Sequence, residues 1–238
     1  MALLTFCLYN FCVKLSKLKQ IYFVWVPNFL LSVGFFILVF PFIPVLKDEI
    51  WYISSETHRN IMSSFGNADN QLDSPFAKLL GDTNIMTEPV NKEFSIVISR
   101  LGINAPVVKD VSVINSHDYK EALKKGVAHS LTSNYPSTEP GNVYLFAHAS
   151  VNLWDLGKYA TVFNLLRKVE LNETIHIFYE GDEYVYRVVN KEVYPGWNVY
   201  PLSRSVIEPV LTLQTCDPPG TTLNRMVVTA ILDRVVKD

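Results

Sequence analysis

A thiol beside a fixed positive charge can act as a nucleophile, because the charge favours the thiolate. The sequence offers such a pair in Cys216 and Arg225. Val210 to Gln214 reads as a buried strand and leads through Thr215 into Cys216. Asp217-Pro218-Pro219-Gly220 cannot continue that strand. Cys216 is therefore expected at the strand's last residue, where the chain leaves the sheet and a side chain reaches a cleft. Arg225 opens the next apolar run, Met226 to Leu232. A strand, a turn-rich loop and a second strand would bring thiol and guanidinium to one rim. The competing reading of Cys216 is a free buried cysteine that behaves as a small hydrophobe.

Acyl transfer through a thiol also needs a base or imidazolium partner, a group that steadies the oxyanion, and a cleft for the acyl donor. Arg225 can serve the oxyanion, since its fork is always charged. Among the histidines, His117 and His129 flank a short helix. His176 sits between Ile175 and Ile177 and is expected in solvent. His148 differs: it ends the apolar strand Val143 to Ala147, the same kind of place that Cys216 occupies.

These groups need a framework. Phe94 to Ile98 reads as a strand and Ile103 to Val108 as an edge strand interrupted by Pro106. Asp118 to Gly126 reads as a short helix, with capping-box spacing between Asp118 and Glu121 and a glycine stop. A further helix is expected over about Tyr159–Lys168. Thr174 to Tyr179 and Glu183 to Val189 alternate with period two around Glu180-Gly181-Asp182, a hairpin. Glu192 to Tyr194 is a short strand and Pro195 to Pro209 a loop. Seven or eight short strands with two short helices and no repeated βαβ unit point to a small, mostly antiparallel barrel.

The N-terminal part is of another kind. Residues 1–20 carry a short apolar run and then Lys14, Lys17 and Lys19. Tyr22 to Phe40 has no charged residue, long enough to cross a hydrocarbon core of about 30 Å. We read 1–20 as a cytoplasmic segment, 21–46 as one transmembrane helix, 47–92 as a stalk or linker with one or two helical turns, and 93–238 as the catalytic domain. Three lysines ahead of the span and Lys47 alone just after it favour an inner N-terminus and an outer catalytic domain. If so, Cys216 is separated from Cys7 and Cys12 and has no intrachain disulfide partner. A net charge of -2 leaves no basic excess for phosphates, so nucleic acid is not expected as a partner.

The residues resemble a known family. Thr-Leu-Gln-Thr-Cys at 212–216 matches the TLxTC signature of sortases, and Arg225 their essential arginine. Gly141 to His148 is similar to the family's Gly-Asn strand that ends in histidine, and Ala122 to His129 to the helix segment before it. The resemblance covers roughly residues 93–235. It implies an eight-stranded sortase-type β-barrel with short helices, mostly β, preceded by one N-terminal transmembrane helix. It implies a membrane-anchored cysteine transpeptidase that cleaves an LPxTG-like C-terminal sorting signal. Cys216 would form the thioester, His148 would protonate the leaving amine and then help an incoming one, and Arg225 would orient substrate. The acceptor would be an amine of a cell-wall precursor or a pilin. Thr215 is a candidate contact beside the thiol. The loop from Pro195 to Pro209 offers Trp197, Tyr200, Leu202 and Val206 as apolar substrate contacts.

Asp73-Ser74-Pro75-Phe76 is not the Asp-Pro-aromatic lid motif of pilin-type sortases, which favours a class A-like or D/E-like enzyme. No cofactor and no metal site is expected. Calcium activation stays open, although Glu139, Glu180, Asp182 and Glu183 are scattered in loops rather than clustered. Two alternatives remain: a thiol hydrolase of similar peptides, and a non-catalytic membrane-tethered binding barrel. An L,D-transpeptidase would carry histidine two positions before the cysteine, where this chain has Gln214.

Overall fold

Alternation of buried and partly exposed residues sets the inward face of each strand. In Ile103, Ala105 and Val107 every second side chain is buried, as a strand with one face on a core requires. The computed structural model describes residues 25–40, 43–66, 88–149, 159 and 161–237. It divides into two units, Met1–Ile43 and Pro44–Asp238.

In the first unit, residues 25–39 form a helix, α1. Its large apolar side chains are exposed nearly all round, Phe29, Leu31 and Phe35 among them. Among the described residues no helix is long and apolar enough to cross a membrane. The span expected at 21–46 includes residues 21–24 and 41–42, which lie outside the described residues, as do the expected cytoplasmic segment and Asp73 to Phe76.

From Pro44 on, the second unit opens with helix α2, Ile43–Gly66, far longer than the one or two turns read from sequence. It is helical because one of its faces packs. Glu49 pairs with Arg167, and Tyr52 accepts a hydrogen bond from Arg100 at 2.8 Å. Arg100 also meets Glu173 at 2.7 Å. Trp51 lies over Gly102, which sits at φ 64; a Cβ there would be 2.4 Å from the indole.

The strands are β1 (Phe94–Ile98), β2 (Ile103–Val111), β3 (Val127–Ser130), β4 (Gly141–Phe146), β5 (Thr174–Tyr179), β6 (Asp182–Pro195), β7 (Pro209–Asp217) and β8 (Asn224–Val236). They close in the order β1-β2-β3-β4-β7-β8-β6-β5, and β5 pairs back onto β1. Two neighbouring pairs, β2–β3 and β4–β7, are parallel and the others antiparallel. Closure removes the edge expected at 103–108, because β2 has a partner on each side. Pro106 is accommodated within the sheet, although it has no N–H to donate. β6 runs unbroken to Pro195, so the short strand expected at 192–194 is the end of a long one paired with β8.

Helix α3, Ser116–Lys125, starts earlier than expected. Its cap is Asn115, whose side chain accepts from the backbone of His117 and Asp118. The helix expected over 159–168 is not formed: its described part holds turns and a 3-10 turn, Leu166–Lys168. Phe163, Leu165 and Leu166 are buried there, so the apolar residues that suggested a helix fill the core without helical repeat. α4 is one turn, Tyr200–Ser203, in the loop between β6 and β7.

Candidate active site

The register of three strands brings the chemistry together. β4 pairs with β7 so that Phe146 faces Gln214. Carried two residues on, that register puts His148 alongside Cys216. β7 pairs with β8 so that Cys216 faces Arg225 directly. Cys216 is the next-to-last residue of its strand, and His148 stands two residues past the end of β4. All three line one cleft of about 630 Å³.

Arg225 Nη1 lies 3.6 Å from Cys216 Sγ and also donates to the carbonyl of Asn224 at 3.1 Å. Those bonds hold the guanidinium at the thiol. Cys216 is a free, half-buried thiol. The sequence led us to expect a thiol shifted towards the thiolate. Instead burial pushes it above the ordinary range, and Arg225 only partly offsets this.

His148 meets Tyr119 edge-on, with ring centres 5.7 Å apart. Tyr119 in turn stacks on Phe146 at 5.4 Å. Burial pushes the Tyr119 hydroxyl up to about 12, with a further push from Cys216 and a smaller opposing pull from Arg225. Tyr119 therefore remains a neutral donor at the heart of the cleft. Tyr144, also raised by burial, donates to the Gln214 side chain. Sequence reading missed Tyr119, Tyr144, Phe146 and Gln214. Counting by twos would have found three of them: 144 and 146 share a face with 148, and 214 with 216.

The same alternation turns Thr215 away. It is buried, and its hydroxyl donates to the Ala147 carbonyl at 3.0 Å, which ties β7 to the residue before His148. Of the expected loop contacts, Leu202 lines the cleft beside Val199, Asn198 and Gly196. Trp197, Tyr200 and Val206 are not part of that lining; Trp197 is 82% exposed and the Tyr200 ring lies towards Tyr194. Gly196 packs against the carbonyl of Thr222, where a Cβ would come within 2.3 Å, so only glycine lets the two cleft loops meet.

The loop is tied down from below by Arg204. Its Nη2 donates to Thr212 at 2.8 Å and to Thr229 at 3.0 Å. Thr212 donates to Asn142, whose amide donates to the Pro201 carbonyl. His176, expected in solvent, is mostly buried and pairs with Glu183 at 2.5 Å on the neighbouring strand. Among the described residues no cluster of potential metal ligands is present.

A closed eight-stranded barrel thus carries a thiol, an imidazole and a guanidinium in one cleft, groups of the kind that acyl transfer through a cysteine requires. The chain belongs to the sortase family, cysteine transpeptidases of the bacterial surface: the family model for the sortase domain matches residues 96–233. Solved structures agree on the fold. Sortase C-3 of Streptococcus pneumoniae aligns with a TM-score of 0.52 at 16% identity, over 78% of this chain and 85% of that one. Sortase C-1 of Actinomyces oris aligns with 0.51 at 19% identity, over 80% and 98%. Sortase E1 of Streptomyces coelicolor, solved with a tripeptide in its active site, aligns with 0.50 at 21% identity, over 60% and 88%. A comparison with curated proteins finds no match.

Proposed function

We propose that this protein is a membrane-anchored cysteine transpeptidase acting on an LPxTG-like sorting signal. The observation that carries the reading is the cross-strand pair Cys216–Arg225, 3.6 Å apart, in a cleft that His148 also lines. The Cys216 thiolate attacks the carbonyl carbon of the scissile bond. Arg225 steadies the charge that develops on oxygen. The C–N bond breaks, the leaving amine takes a proton from the His148 imidazolium, and a thioester remains on Cys216. An incoming amine gives its proton to His148 and displaces the thiolate. The acceptor is an amine of a cell-wall precursor or a pilin. Hydrolysis is the same sequence with water in place of the amine.

Val199, Leu202, Tyr144 and Phe146 favour an apolar residue in the signal, and among the described residues of the lining Arg225 carries a fixed charge. The exposed apolar side chains of α1 support an anchor over 21–46, and Lys14, Lys17 and Lys19 ahead of it support an inner N-terminus with the barrel outside. The departure at Asp73 to Phe76 supports class A-like or D/E-like grouping. The full-length protein, incubated with a sorting peptide with and without an amine, tests the activity. An acyl-enzyme mass on Cys216 and an amine-dependent product are expected. Full cleavage by Cys216→Ala would overturn the reading.

A further inference from the structure

Helix α2 has two faces of opposite character. Glu49, Tyr52 and Glu56 turn towards the barrel, where Arg167 and Arg100 meet them. Ile43, Leu46, Ile50 and Ile53 lie on the other side and are all exposed, Ile50 at 66% and Ile53 at 60%. Their spacing is i, i+3, i+7, i+10, so they form one continuous stripe. Because the opposite face is fixed to the barrel, the stripe is presented outward and cannot roll inward.

What covers the stripe can be argued from where it stops. The same positions continued along the helix fall on Thr57, Asn60 and Ser64. The apolar half is the half that follows α1 in the chain, and the stripe begins three residues after Phe40. A coiled-coil partner needs the seam sustained over three to four heptads, whereas this one ends within about two. A bilayer surface fits both features. It follows the exposed apolar residues of α1 in the chain, and it fades as the helix moves on. Lys47 flanks the stripe, as a basic residue at a headgroup layer would.

We infer that the first half of α2 lies in the membrane interface, with Ile43, Leu46, Ile50 and Ile53 turned to lipid and the barrel held on its other face. The inference rests on the anchor reading of the N-terminal segment. Its consequence is that the barrel meets the bilayer in one fixed orientation rather than swinging on a flexible stalk.

The test uses the full chain in vesicles of phosphatidylethanolamine and phosphatidylglycerol. The photoreactive residue p-benzoylphenylalanine is placed singly at Leu30, Ile50 or Lys120, and adducts are weighed by mass spectrometry. Lys120 is an exposed position on α3 and serves as the control. Lipid adducts at 30 and 50 but not at 120 are expected. Lipid adducts at 30 alone overturn this inference and leave the anchor standing, whether position 50 then gives a doubled chain, an adduct within the chain or none. No lipid adduct at either position overturns both.

Discussion

At the scale of single residues the site is a balance between burial and one cation. Cys216 is pushed up by its surroundings and pulled down by Arg225. Most of the resting protein is therefore a thiol near neutral pH, and alkylation by iodoacetamide should speed up as pH rises, with a midpoint above that of a model thiol. Arg225→Met removes the opposing charge, so the midpoint should move higher still; an unchanged or lower midpoint would contradict the assignment of Arg225 as the group facing the sulfur. Tyr119 holds the imidazole from the side rather than reacting. Tyr119→Phe keeps the ring against His148 and Phe146, and should keep most of kcat. Tyr119→Ala strips the ring from Phe146 and His148, and should cost less than the roughly 3–5 kcal/mol of a fully buried aromatic truncation, because the ring is half-buried at the cleft. It should also lower kcat more than it raises KM, because His148 loses its lateral support. Equal kcat losses in the two variants would show that the hydroxyl, not the ring, is what matters.

At the scale of elements, legibility followed period. Strands with one face on the core were readable because every second residue is apolar, and the hairpin of β5 and β6 stands where Glu180-Gly181-Asp182 put it. The shared position of Cys216, His148 and Arg225 at one cleft was legible because the first two follow apolar runs and the third opens one. Elements whose shape depends on contacts distant in sequence were not readable. The apolar stripe of α2 ends at Ile53 and faces away from the barrel; the face that packs is held by Arg100 and Arg167, which sequence alone could not place beside Tyr52 and Glu49. The helix expected over 159–168 failed in the opposite sense, since its apolar residues enter the core through turns. The loop between β6 and β7 was recognised, but which of its side chains face inward was not, because an irregular chain has no period to count by. Leu202 lines the cleft while Trp197 stands in solvent. Arg204 decides that arrangement. Arg204→Met removes the bonds to Thr212 and Thr229 from a half-buried position, at a cost of about 1.5–3 kcal/mol for charged hydrogen bonds. The loop should loosen, KM for a sorting peptide should rise several-fold, and the chemical step measured at saturation should be nearly unchanged. A kcat loss with constant KM would place the role of Arg204 elsewhere.

At the scale of the molecule, closure of the barrel carries its own pH dependence. The seam where β1 meets β5 is lined by a chain of rings: Phe94 packs on Tyr179 at 5.0 Å, Tyr179 on Tyr135 at 5.2 Å, and Tyr135 on His129 at 4.6 Å. His129, from β3, is fully buried. Its Nε2 sits 3.1 Å from the Asn134 carbonyl, to which it donates, and its Nδ1 accepts the Asp110 backbone N–H at 3.5 Å. Both ring nitrogens are thus satisfied in the neutral form. Protonation would take the lone pair that Nδ1 offers to Asp110 N–H and would place a charge in the core. Burial accordingly holds His129 below the ordinary histidine range, and the Asn134 carbonyl and the Asp110 carboxylate offset this only in part. The folded state resists a proton that the unfolded chain accepts. Stability from this group is therefore present above the unfolded value of about 6.5 and is lost as pH falls towards the lower folded value. The full-length protein should melt at a lower temperature as pH drops from about 7 to about 5. His129→Gln keeps a side chain able to donate and accept but cannot titrate, so its melting temperature should vary less over the same interval, whatever its absolute stability. Parallel curves for the two proteins would assign the acid sensitivity of the barrel to other groups, and would mean that the ring seam closes equally well around a charged imidazole.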